Sequence, residues 1–307
     1  MTEDFCILII DDSDDDREFI SHLLSVSEHT ASWTIDQAEN GSEGVALVKS
    51  NHFDCVLLDY SLPGHNGVEV MKQIRMVNAE VPVVIMTGQG NEEIAVAAMK
   101  AGAQDYLSKN SLNDADRVSA TIIEAIEQRR QEIETIQRAN YDHLTGLVGR
   151  ALLDDRLNSA VHRHARRDTN FAVVFLDLDG LKEINDEYGH AAGDIMLRRF
   201  ADCLDSSSRD GDTVARLSGD EFVVICESLP DEQPKASCRN FLVRLSENIH
   251  KTQVKLNGRE VHLKASLGAS VYPLHGTSPT QLLKIADEAM YKAKKRPHVT
   301  FCIGDEP

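Results

Sequence analysis

Arg216-Leu-Ser-Gly-Asp-Glu-Phe222 sets two acidic side chains on a tight turn between apolar, β-rich runs. Val214-Ala-Arg-Leu217 reads as a strand before it and Phe222-Val-Val-Ile-Cys226 as a strand after it, which makes Ser218 to Glu221 a hairpin tip. A second acidic tract ends another strand, Phe171-Ala-Val-Val-Phe-Leu-Asp-Leu-Asp179. Strand alternation places Phe171, Val173, Phe175, Asp177 and Asp179 on one face. With the two elements as neighbours, Asp177, Asp220 and Glu221 make an oxygen-rich pocket suited to Mg²⁺ and phosphate chemistry.

Outward from the hairpin, residues 141–304 mix strands and helices without regular alternation. Helices are expected at about 150–166, 181–187, 193–206, 235–250 and 279–295, with strands at 171–178, around the hairpin and near 252–272. That order predicts an α+β domain, a mainly antiparallel sheet with helices packed on one side. Residues 1–125 read differently, as strict βα alternation. Strands at Phe5–Ile10, Trp33–Gln37, Asp54–Leu58, Val81–Met86 and Gln104–Leu107 are separated by helical patterns at 14–26, 43–50, 67–77 and 92–101. This predicts a doubly wound, five-stranded parallel sheet of the flavodoxin-like kind, with function at the C-terminal strand ends. Between the domains, Ser111 to Tyr141 reads as one long charged helix. Its residues 126–140 are a helical linker, and along the whole helix Ile122, Ile126, Ile133 and Ile136 follow a 4-7-3 spacing, the pattern of a short coiled coil or of a solvated spacer.

The chain of 307 residues is long enough for two cores. Its net charge of −18 is uneven, with 23 acidic and 9 basic residues up to position 130, a local net of −14. Duplex nucleic acid is a poor partner for such a surface, because phosphate neutralisation needs basic groups. There is no apolar run of membrane-spanning length, and the acidic start Met1-Thr-Glu-Asp-Phe5 is unlike a signal peptide. Six scattered cysteines suggest neither a metal clip nor a disulfide framework, so a reduced cytoplasmic compartment is expected. The 12 histidines form no metal pattern, and His162 and His164 read as surface residues.

Five loop positions in the first half carry phosphoryl chemistry. Asp11 and Asp12 follow the first strand, Asp59 the third, Thr87 the fourth and Lys109 the fifth. Asp11 and Asp12 would hold Mg²⁺ beside Asp59, whose carboxylate attacks an incoming phosphoryl group. Lys109 would pair with that group and Thr87 donate to it. The tracts Ile7-Leu-Ile-Ile-Asp-Asp12, Leu57-Leu-Asp-Tyr-Ser-Leu-Pro-Gly64, Met86-Thr-Gly88 and Asp105-Tyr-Leu-Ser-Lys109 resemble the receiver domain of bacterial response regulators. The resemblance implies a histidine kinase as phosphodonor for Asp59, and a switch relayed through Thr87 and Tyr106.

The second half resembles the GGDEF domain of diguanylate cyclases. The likeness rests on Asp142-x-Leu-Thr-Gly-Leu147, Phe175-x-Asp-x-Asp179 with Lys182, Ile184, Asn185 and Asp186, Gly189-His190, Gly193-Asp194, the hairpin, and Ala286-Asp-Glu-Ala-Met-Tyr-Lys-Ala-Lys294. It implies that two GTP are condensed to cyclic di-GMP and two pyrophosphates by a homodimer, each domain binding one GTP. Asp177, Asp220 and Glu221 would hold Mg²⁺, Lys182 and Lys294 would balance phosphate charge, and Gly219 would let backbone approach the phosphates. Asn185 and Asp194 match the guanine-binding positions, where a carboxylate accepts from a donor pair that adenine lacks. Arg209 and Asp212 match the site at which cyclic di-GMP inhibits its own synthesis.

Two positions depart from the family pattern. Ser218 stands where the motif has its first glycine, adding a Cβ at a place expected to favour a left-handed backbone. Pro297-His298-Val299 replaces Gly-Arg-Asn after Lys294, so a histidine stands for a phosphate-contacting arginine. These departures keep open the alternative of a degenerate domain that binds cyclic di-GMP or GTP without turnover, as a receptor or scaffold.

Overall fold

The computed structural model describes residues 4–27, 31–88, 92–230, 232–296 and 298–304; Met1 to Glu3 and Pro297 lie outside them. Two compact units divide the chain, Met1–Thr135 and Ile136–Pro307. In the first, β1 (Asp4–Ile10), β2 (Ser32–Ala38), β3 (Cys55–Asp59), β6 (Val83–Thr87) and β7 (Asp105–Ser108) form one sheet in the order β2-β1-β3-β6-β7. Every pairing is parallel, as the alternation predicts. The connections are α1 (Asp14–Val26), α2 (Gly41–Ser50), α3 (Gly67–Val77) and α4 (Glu92–Lys100), with the short ladder β4 (Ser61–Leu62) to β5 (His65–Asn66) after Asp59. The central strands are apolar at nearly every position because they are covered on both faces. Ile7, Ile9, Leu57 and Val84 pack with α1 and the helix after β7, while Leu8, Val56, Leu58 and Ile85 pack with α2 and α3.

A short 3₁₀ turn, Lys109–Ser111, leads into α5 (Ala115–Asn140). Its isoleucine stripe does not begin as a coiled-coil seam, since Ile122 and Ile126 are buried in the first unit's core. A core-facing helix and a heptad share their first two turns of spacing, so sequence cannot separate them there. Beyond residue 125 the helix stays attached to that unit. Arg129 donates to the carbonyls of Ala79 (2.6 Å) and Glu80 (3.1 Å), and Arg130 reaches Asp54 at 3.3 Å.

The second unit is built on the sheet β14-β13-β8-β10-β9, from β8 (Asn170–Leu178), β9 (Thr213–Ser218), β10 (Glu221–Leu229), β13 (Ala265–Tyr272) and β14 (Phe301–Ile303). Its pairings are antiparallel except β13 with β14, a strand that the sequence pattern did not mark. β11 (Gln253–Leu256) and β12 (Arg259–His262) form a separate hairpin. Helices cover both faces of the sheet, not one. The alternation of β8 sends Phe171, Val173 and Phe175 against α6 (Arg150–Arg167) and α10 (Pro279–Lys295). Ala172, Val174, Leu176 and Leu178 face α8 (His190–Ser207) and α9 (Pro234–Lys251), with α7 (Leu181–Tyr188) alongside. His164 corrects its surface reading. The stripe Leu153, Leu157, Ala160, His164 turns to the sheet, and the ring is buried with Nδ1 2.7 Å from Thr169 Oγ1. Burial holds the imidazole below its ordinary pKa, against the pull of Glu227.

Candidate functional sites

Asp11, Asp12, Asp59, Thr87 and Lys109 converge at the C-terminal edge of the parallel sheet because they terminate or follow four of its strands, β1, β3, β6 and β7. The registers align Asp59 with Met86 and Thr87 with Ser108, which stacks the strand ends at one level. Asp11 is fully buried; its Oδ1 accepts from Ser13 N at 3.0 Å, and its Oδ2 lies 2.7 Å from Lys109 Nζ. Asp59 is buried as well, accepting from Ser61 N at 2.9 Å through Oδ2 and pairing with Lys109 at 3.0 Å through Oδ1. Gly67 makes room for this loop, since a Cβ there would come 2.6 Å from the Asp59 carbonyl.

One ligand oxygen each from Asp11, Asp12 and Asp59 falls within a mutual 4.8 Å, the only such trio among the described residues. All-oxygen donors that carry net negative charge fit a hard cation such as Mg²⁺. Burial pushes the Asp59 carboxyl above its ordinary pKa; Lys109 opposes this and Asp11 adds to it. The Lys109 ammonium is held above its ordinary pKa: burial works against the charge, and the carboxylates of Asp11, Asp16 and Asp59 outweigh it. Asp16, 2.7 Å from Lys109 Nζ, is a member of this cluster that motif reading missed. Thr87 is buried at its strand end, whereas Tyr106 stands 47% exposed.

In the second unit the hairpin and β8 meet as expected. Glu221 is paired directly with Asp177 across β10 and β8, and Leu178 N donates to the Asp220 carbonyl at 3.0 Å. The carboxylates of Asp177, Asp220 and Glu221 do not reach the mutual closeness of the first trio. Instead, the ammonium of Lys294, from the last turn of α10, sits 2.6 Å from Asp177 Oδ1. Burial opposes the Lys294 charge, but the hydrogen bond to Asp177 and the fields of Asp177, Asp179 and Asp220 raise its pKa. A cation is therefore favoured where these acids gather, and the donor set fits Mg²⁺. Asp179 accepts from Ser266 Oγ at 3.1 and 3.2 Å and does not cap α7. Burial raises its carboxyl pKa, with Asp177 adding to the effect.

The turn's shape answers the question posed by Ser218. Gly219 takes the left-handed angle, φ +52°, while Ser218 is absent from the positive-φ residues. The serine Cβ costs no backbone strain, and its hydroxyl donates to Glu221 Oε2 at 3.3 Å. Arg216, which sequence reading passed over, fixes this turn. Its Nε and Nη2 donate to the Gly219 carbonyl at 3.1 and 2.8 Å, and its Nη1 to Asp142 Oδ1 at 2.9 Å. Asp142 also accepts from Thr145 Oγ1 (2.6 Å) and N (2.9 Å), which explains the Asp142-x-Leu-Thr tract.

Asn185 on α7 lies against Gly193 of α8, the residue before Asp194. Gly193 lies so close to Asn185 that an added Cβ would overlap its amide, and Asn185 Oδ1 is buried without a hydrogen-bond partner. Lys182 is exposed on α7. Asp212 spends its carboxylate on the backbone, accepting from Arg209 N and Glu227 N at 3.0 Å each. Arg209 lines a cavity of about 220 Å³ together with Arg244, Phe241, Asn240 and Ser237. No sequence motif marks Arg244. His298 adopts φ +70° and lines a cavity with Asp179, Lys264 and Ser266.

Comparison with known proteins matches residues 139–299 to the family "Diguanylate cyclase, GGDEF domain" and residues 7–142 to the "Response regulator receiver domain". The response regulator PleD of Caulobacter vibrioides is 28% identical over 94% of this chain and 63% of its own length. The bifunctional diguanylate cyclase/cyclic di-GMP phosphodiesterase MucR of Pseudomonas aeruginosa is 38% identical over 62% of this chain and 27% of its own. Diguanylate cyclase TpbB of Pseudomonas aeruginosa is 39% identical over 52% of this chain and 36% of its own. The chain thus spans between about a quarter and two thirds of these relatives' lengths. Among solved structures, the GGDEF domain of TpbB gives a TM-score of 0.51 at 34% identity, covering 54% of this chain and 94% of that one. The coiled coil and GGDEF domain of DgcB from Caulobacter crescentus, solved with c-di-GMP, shares the fold with a TM-score of 0.53 at 21% identity, covering 61% and 97%. Among the described residues no helix is long and apolar enough to cross a membrane.

Proposed function

We propose that this chain, which belongs to the GGDEF (diguanylate cyclase) family and carries a response-regulator receiver domain, condenses two GTP into cyclic di-GMP and two pyrophosphates under phosphorylation control. The observation that carries the reading is the direct pairing of Glu221 with Asp177, with Lys294 drawn onto Asp177 from α10. In this reading Asp177, Asp220 and Glu221 hold Mg²⁺, which when bound neutralises the triphosphate and lowers the pKa of the attacking hydroxyl. Lys294 leaves Asp177 for the phosphates, and Lys182 approaches them from α7. Asn185 and Asp194 read the guanine edge at the α7–α8 elbow. The 3′-oxygen of one GTP forms a bond to the α-phosphorus of the other, the bond to pyrophosphate breaks, and the hydroxyl proton passes to the carboxylate of Asp220 or Glu221. Two such attacks close the ring, so two catalytic units must face each other in a homodimer.

The control reading rests on Asp59, which would accept the phosphoryl group of a histidine kinase. Asp11, Asp12 and Asp59 would hold Mg²⁺ there, where it screens the charge of the incoming group. Thr87 and Tyr106 would carry the switch, and Arg209 with Asp212 would form the site of product inhibition. Ser218 favours an active over a degenerate domain, because its backbone is unstrained. Incubating nucleotide-free protein with Mg²⁺ and GTP should yield cyclic di-GMP, faster with beryllofluoride, and ATP should yield no cyclic dinucleotide. Tight binding of cyclic di-GMP with no turnover at high protein concentration would replace the cyclase reading with that of a receptor.

A further inference from the structure

Lys109 is held by one more carboxylate than the receiver motif supplies. Its Nζ lies 2.7 Å from Asp16 Oδ2, as close as to Asp11 Oδ2 and closer than to Asp59 Oδ1 at 3.0 Å. Asp16 comes from the first turn of α1, which Ser13 caps and which also carries Asp14 and Asp15. Acids in a first turn ordinarily answer the helix dipole. Asp14 pairs with Arg17 one turn on, and Asp15 is exposed. Asp16 alone of the three reaches a cation on another element, 93 positions away.

We propose that Asp16 is a positioning residue of the phosphoacceptor site, sharing Lys109 with Asp59 and thereby setting how readily the site takes a phosphoryl group. This rests on the reading of Asp59 as phosphoacceptor. An ammonium has three N–H donors, and three carboxylates surround this one. A phosphoryl group leaves Asp59 at about −2 in place of −1 and adds three strong acceptors, which compete with the carboxylates for the donors of Lys109. Asp11 would be met by Mg²⁺ and Asp59 carries the incoming group itself, so the carboxylate left competing for Lys109 is that of Asp16, whose side chain is 39% exposed and can return to water. Asp16 is therefore the partner that yields. Until it yields it withholds Lys109 and adds a further negative charge beside the incoming group.

The test is calorimetric titration of the full chain with beryllofluoride at saturating Mg²⁺. Asp16→Asn should bind about 3- to 10-fold more tightly, the effect of freeing one partly solvated charge-assisted bond. Asp15→Asn, which removes the same charge from the same turn without touching Lys109, should stay within about 2-fold of the parent. Asp16→Glu, which keeps the charge, should restore near-parental affinity. Equal or weaker binding by Asp16→Asn, or an equal gain from Asp15→Asn, would overturn the proposal while leaving the phosphoacceptor reading intact. A parent protein that takes up no beryllofluoride would overturn both.

Discussion

Arg216→Met removes the side chain that ties the Ser218–Glu221 turn to Asp142. Three hydrogen bonds are lost, two of them sharing the Gly219 carbonyl, and the side chain is only 10% exposed. Charge-assisted bonds contribute about 1.5–3 kcal/mol each, and a shared acceptor counts less than two separate ones, which sets the loss at about 3 kcal/mol. For a unit of this size that lowers Tm by roughly 6–12 °C. The pH dependence carries a sign. Burial pushes the Asp142 carboxyl up, but Thr145 and Arg216 outweigh it and hold the pKa below the ordinary value. A depressed carboxyl contributes stability that is present above about pH 3.9 and lost as pH falls through the folded pKa. The gap between parent and Arg216→Met should hold from pH 7 to about 4 and narrow below that. Arg216→Lys keeps a charge near Asp142 but cannot fork onto Gly219, and should recover about half of the loss. The assay is scanning calorimetry of the full chain, with the transition shifted by Mg²⁺ and beryllofluoride marking the receiver. A shift of the second unit's transition below about 2 °C, or a gap that widens in acid, would refute the clamp.

Ser218→Gly should leave GTP turnover within about threefold of the parent, because the serine is unstrained and loses only one exposed hydroxyl contact; a gain above about tenfold would mean that the serine blocks the site. Asp59→Asn should raise the receiver's Tm at pH 7. Burial has lifted the Asp59 pKa, so its contribution is present below about pH 3.9 and lost as pH rises through the folded value, and the variant's advantage should fade near pH 4. Equal Tm values at both pH settings would count against that burial cost. Gly268→Ala drives a Cβ into the backbone of Met290 and Ala286, where β13 lies against α10. It should cost at least about 3 kcal/mol by urea unfolding, and an unchanged midpoint would contradict so close an approach.

The βα alternation of the first unit was legible, because the apolar runs of its central strands are buried and parallel and the polar ends of β1, β3, β6 and β7 carry the site. The neighbouring of β8 and the hairpin was legible too, since alternation and turn residues fix the face; the exposure was not, for Asp177 is buried and Asp220 and Glu221 are half-buried. Three further features show why the rest was not. Asp16 looked like one of three first-turn acids, and only the fold brings it to Lys109. Arg216 sits inside a strand with no motif spacing of its own, and its partners are a carbonyl and a distant carboxylate. The isoleucines of α5 keep the same spacing whether they face a core or another helix, and Ile122 is buried while Ile136 is 56% exposed. Local patterning specifies a face but not what that face meets.

A crystal structure of the full chain with Mg²⁺ and a GTP analogue that cannot release pyrophosphate would examine the proposed chemistry at its centre. It should show a cation between Asp177 and Glu221, Lys294 moved from Asp177 to the phosphates, and guanine at Asn185 and Asp194. Lys294 still bonded to Asp177, with nucleotide bound elsewhere or with adenine accepted equally well, would contradict the account.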